Sequence, residues 1–129
     1  MNAPSHLSEL PIYKKALDIF TISHSISMYL NQDLSQISSE GKEDENIYFS
    51  GDIIQQSVSL VPHILQAELA SFSDKKYKHA IRLKQLTNKL YRNCKRLENC
   101  NSDGKEYLPI LRNELKKFKK LQKTWALTL

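Results

Sequence analysis

Between residues 80 and 97, and again between 108 and 125, the inward-type positions recur at alternating intervals of three and four. They are Ala80, Leu83, Thr87, Leu90, Cys94 and Leu97, then Leu108, Leu111, Leu115, Phe118, Gln122 and Trp125. That spacing belongs to helices that each bury one stripe against other helices. A half-buried strand would need a two-residue alternation instead. With only 3 Gly and 4 Pro in 129 residues there is little turn chemistry for a many-stranded fold. The chain therefore reads as all-α, with material for one domain and one modest core.

Four helices are predicted. The first spans about 10–30, with Ile12, Tyr13, Ala16, Ile19, Phe20, Ile26 and Leu30 at helical spacing, and Pro11 tolerable in its first turn. The second spans about 50–70 and is the most apolar, through Ile53, Ile54, Val58, Leu60, Val61, Ile64, Leu65 and Leu69. It is expected at the centre of a bundle or between subunits, bent at Pro62. The third and fourth span about 74–99 and 106–125, with Ser71 and Ser73 placed to cap the third. Residues 32–46 are polar and acidic and are expected to form a mobile loop.

The fourth helix is unusual on a helical wheel. Tyr107, Ile110 and Leu121 widen its seam to an apolar arc of roughly 160°, beyond the ~100° that one core requires. The surplus faces either another subunit or a deep burial site for this helix.

Charge is divided as sharply as hydrophobicity. Residues 1–71 carry a net −6 and residues 72–129 a net +11, for an overall +5. Lys78, Arg82, Lys89, Arg92 and Arg96 line the third helix opposite its seam, with Gln85 among them. Arg112, Lys116, Lys119 and Lys123 do the same on the fourth, flanked by Lys117 and Lys120. Like charges four residues apart repel within a helix, so single-sign rows point to an anionic partner. A phosphate backbone is the natural one, since each cation that meets it releases counterions. The competing interpretation is a solubilising face neutralised by an acidic neighbour. No aromatic residue stands within either row, so base stacking is not expected to contribute much.

Enzyme signatures fail in turn. There is no Glu-x-x-His for a di-iron bundle, no His-Glu-x-x-His, no Cys-x-x-Cys and no Gly-x-x-x-x-Gly-Lys. No Arg has a His five positions later, as the helical ribonucleases of the nucleotide-binding bundle class require. Of the four histidines only His63, beside Pro62, lies in an apolar helix, where it is expected to be a satisfied polar residue. Cys94 and Cys100 are expected to be ordinary thiols. No apolar run reaches the ~18–20 residues of a membrane span, and Met1 to Glu9 lacks the look of a signal peptide. The expectation is a cytoplasmic protein with no catalytic site, metal or cofactor.

Three segments carry a family resemblance. Leu10-Pro11-Ile12-Tyr13-Lys14-Lys15-Ala16 resembles the opening aromatic-x-Lys-Ala segment of the four-helix-bundle proteins encoded in intervening sequences of bacterial large-subunit ribosomal RNA genes. That group includes the accessory variability determinant of diversity-generating retroelements. Ser57 to Ala67 resembles its second-helix signature, roughly Ala-Val-Ser-Ile-Pro-x-Asn-Ile-Ala-Glu-Gly, and Ser73-Asp74-Lys75-Lys76-Tyr77 its Ser-x-Lys-Glu-Phe. The chain departs from the pattern at His63, Gln66 and Ala67, which stand at the family's Asn, Glu and Gly, and at Lys84 and Leu90 in the third helix. The resemblance implies a barrel-like homopentamer. Its accessory branch implies binding to nucleic acid and to a reverse transcriptase.

The combined expectation is an antiparallel up-down-up-down four-helix bundle over residues 1–129, assembled as a homo-oligomeric ring. It would bind RNA or DNA, without regard to sequence, through its third and fourth helices. The rival is a protein-interaction scaffold whose basic half docks an acidic protein or subunit surface. An unrecognised nuclease is the weaker third option.

Overall fold

Proline decides two of the helix boundaries. In the computed structural model, which describes residues 6–34, 46–100 and 102–129, a 3-10 turn at Leu7–Glu9 is followed by Leu10 in an extended conformation, φ −70° and ψ 129°. The residue before a proline is pushed out of the helical region, and α1 (Pro11–Leu34) starts on the proline itself, whose missing N–H has no partner to lose there. The helix runs four residues past the expected stop near Leu30, because Leu34 supplies one more buried apolar position.

Pro62 acts one turn before its own position. A proline ring collides with the carbonyl four residues back and gives it no hydrogen bond; that carbonyl is Val58's. The expected second helix accordingly divides into α2 (Asn46–Val58) and α3 (Leu60–Leu69). Ser59 stands between them and donates both its N–H and its hydroxyl to the Gln55 carbonyl, at 3.3 and 2.9 Å. The expected acidic loop is shortened from both sides, and residues 35–45 lie outside the described part of the chain.

α4 (Ser73–Leu97) and α5 (Leu108–Ala126) complete the bundle, joined by a 3-10 helix at Asp103–Tyr107. Neither Ser71 nor Ser73 caps α4. Phe72 occupies that place in extended conformation, and Ser73 is already helical. Counting α2 and α3 as one interrupted helix, four helices enclose one core, and among the described residues there is no strand. α1 packs against α2 and α5, while α4 packs against α2, α3 and α5.

The seams of α4 and α5 are buried residue for residue as the spacing predicts. Their polar members are satisfied: the Thr87 hydroxyl donates to the Leu83 carbonyl at 2.7 Å, and Gln122 Nε2 donates to the Ala80 carbonyl on α4 at 3.2 Å. A buried serine cluster was not evident in the sequence. Ser27 of α1 and Ser50 of α2 share a hydrogen bond at 3.0 Å, and Ser27 also donates to the Ser50 carbonyl at 2.8 Å. The second helix is less central than its composition suggests, with Val58 exposed and Val61 and Leu65 half-buried. No helix among the described residues is long and apolar enough to cross a membrane.

Candidate nucleic-acid interface

The two basic rows take different positions once the helices pack. On α4, Lys78, Arg82, Lys89, Arg92 and Arg96 are exposed on the side away from the buried seam. The α5 row instead turns toward α4. Arg112 lies 3.2 Å from Glu98, Lys119 rests its ammonium 4.3 Å from the centre of the Tyr91 ring, and Lys119 and Lys123 line a groove shared with α4. Lys116 and Lys120 are exposed beside them, and Lys117 is drawn to Glu114 at 3.1 Å.

The rows therefore divide into committed and available cations. Arg112 belongs to Glu98, although its Nε–H does not point at the carboxylate. Lys117 and Lys15 both donate to Glu114, at 3.1 and 2.7 Å, and these two hydrogen bonds hold the Glu114 carboxyl below its ordinary range. Lys78, Arg82, Lys89, Arg92, Lys116, Lys120 and Lys123 have no ion pair among the described residues. Glu98 and Glu114, which stand beside this surface, are engaged by Arg112, Lys15 and Lys117.

The rows contain no aromatic of their own, but packing brings rings beside them. Tyr91 lies under Lys119, the Phe49 ring lies 3.9 Å from the Arg96 guanidinium, and Tyr77 is 54% exposed in the α4–α5 groove. These rings come from positions on other helices or beside a seam, so linear inspection of a row cannot find them. Two of the three contacts place a cation on a ring face, which fixes the cation's position without removing its charge.

His63 is not the satisfied residue expected. Its ring is 6.4 Å from that of His79, centre to centre, and the Nδ1 atoms of both are buried without a partner among the described residues. Burial, followed by the charges of His79 and Arg82, lowers the His63 pKa. The cysteines form no disulfide; burial and then the Glu98 charge push the Cys94 thiol up to about 12, where no reactive thiolate is available. Among the described residues no three His, Cys, Asp or Glu side chains gather as metal ligands.

The wide apolar arc of α5 divides: Leu121 packs against the core, while the other two residues that widen it do not. Tyr107 and Ile110 are 51% and 54% exposed, and the Tyr107 ring meets Tyr29 edge-on at 6.0 Å. With Ile22 they border a groove of about 390 Å³ between α1 and α5. In comparisons with known proteins the chain matches no family model, no curated protein and no solved structure.

Proposed function

We propose that this protein is a non-enzymatic, self-associating bundle that holds RNA or DNA, independently of sequence, on the basic surface of α4 and α5. One observation carries the reading. Seven exposed cations on two adjacent helices lack ion-pair partners among the described residues, while Glu98 and Glu114 are engaged with other cations. A surface charged only for solubility would interleave carboxylates with the lysines. Polyanion binding follows from Coulomb attraction and counterion release and needs no base contact.

The helices alternate in direction in this proposal. The contacts that support it join His6 before α1 to Glu68 at the end of α3, Ser27 late in α1 to Ser50 early in α2, and Ala80 early in α4 to Gln122 late in α5. Self-association uses Tyr29, Tyr107 and Ile110, each about half-exposed in a single chain. The resemblance to the ribosomal intervening-sequence proteins adds a five-membered ring and a role accessory to a reverse transcriptase.

The test is a fluorescence-anisotropy titration of labelled RNA and DNA of mixed sequence at several salt concentrations. Expected are similar affinities across sequences and a steep loss with salt. No binding even at low salt would overturn the reading.

A further inference from the structure

The cleft between α4 and α5 has a floor that phosphate binding does not use. It measures about 440 Å³ and exposes Tyr77, Ile81 and Leu127, at 54%, 56% and 88% of their full surface. Single exposed hydrophobics are common on any protein, but three large ones in one cleft mark an interaction surface. The rim carries Lys84, Lys119 and Lys123, and among the described residues no acidic side chain lines the groove.

An occupant must therefore be apolar along one stripe and negative along its borders. From Tyr77 to Asn88 the groove follows α4 for about 16 Å, at 1.5 Å per residue, or three helical turns. We propose that the α4–α5 groove receives an acidic amphipathic helix of a partner protein. Apolar side chains at spacings of three and four would cover Tyr77, Ile81 and Leu127, while flanking Asp or Glu would meet the three lysines. Single-stranded nucleic acid fits less well. Its bases need open ring faces, but the floor is largely aliphatic and Lys119 already covers Tyr91. The helix and a polyanion share Lys119 and Lys123, so they compete, yet only the helix needs the apolar floor.

The experiment uses two fluorescein-labelled peptides of 18 residues with the same Leu, Ala and Glu content. One is ordered as an amphipathic helix and the other is scrambled. The ordered peptide is expected to bind the full chain at least tenfold more tightly. Ile81→Ser with Leu127→Ser, which leaves the charge unaltered, should weaken it at least tenfold while nucleic-acid affinity and its salt slope stay unchanged. On the wild-type protein, the ordered peptide should shift the methyl signals of Ile81 and Leu127, a readout that does not depend on the variant's folding. Equal binding of the two peptides would reduce the effect to bulk charge and overturn the proposal, as would methyl shifts confined to other residues. A lower mass by light scattering for the double variant would assign the groove to a second copy of the chain. Capture of phosphatidylserine vesicles but not the peptide, with the same dependence on Ile81 and Leu127, would assign it to a lipid surface. Either result also overturns the proposal.

Discussion

The imidazoles of His63 on α3 and His79 on α4 lie 6.4 Å apart between ring centres, each with an Nδ1 sealed from solvent and unpartnered among the described residues. Protonating His63 would place a cation in a partly desolvated site beside His79 and Arg82, and its pKa is lowered from 6.5 for these reasons. A histidine that the folded state holds neutral binds fewer protons than in the unfolded chain. Its contribution to stability is therefore complete above pH 6.5 and is lost as pH falls through the lowered folded pKa. Urea denaturation at pH 7.5 and 5.5 should show lower stability at the acidic value, and His63→Gln should flatten that difference. An unchanged difference would place the pH dependence on another group.

The cation rows should separate by commitment. Replacing Lys116, Lys120 and Lys123 together by Gln should lower the log–log salt slope of nucleic-acid binding by about two to three, if each touches a phosphate. Replacing Arg112 and Lys117, which are engaged by Glu98 and Glu114, should leave the slope nearly unchanged. Equal effects of the two sets would show that ion pairing within the protein does not select the contacts.

Buried hydroxyls give opposite signs according to partnership. Ser27→Ala removes both side-chain hydrogen bonds that Ser27 makes to Ser50, whose hydroxyl can still donate to the Ser27 main-chain carbonyl at 3.3 Å, and should cost about 0.5–1.5 kcal/mol of unfolding free energy. Ser23 lies on the same helix with its hydroxyl buried and without a hydrogen bond among the described residues. Ser23→Ala should leave stability unchanged or raise it by up to about 1 kcal/mol. Thermal or chemical denaturation of the two variants checks both signs.

Phe118 is fully enclosed at the middle of the α5 seam. Phe118→Ala should cost about 3–5 kcal/mol through lost burial and the cavity left behind. Chemical denaturation measures it. A loss below about 1 kcal/mol would mean that the bundle collapses around the site.

The self-association surface is tested by Tyr107→Ser with Ile110→Ser. Both side chains are half-exposed, so the fold should persist while the assembly's mass by light scattering falls toward the 15.0 kDa of one chain. An assembly mass that stays the same would move the interface elsewhere.

The sequence by itself determined the helical class and the inward faces of α4 and α5. Their three- and four-residue spacings are local consequences of 3.6 residues per turn, and burial follows the spacing from Ala80 to Leu97 and from Leu108 to Trp125. It also marked Pro62 as a disruption, but the break falls at Val58–Ser59, because the proline acts on a carbonyl one turn back. The cation rows were legible as sequence, since charge needs no neighbour to be counted. Only tertiary structure decided which cations are free. Glu98 reaches Arg112 across a helix connection, Glu114 is held by Lys15 from 99 positions away, and Tyr91 meets Lys119 on the next helix. The groove, the serine cluster and the facing histidines arise in the same way. Each joins side chains on separate helices, and a helical repeat specifies the directions within one helix but not which neighbour will stand there.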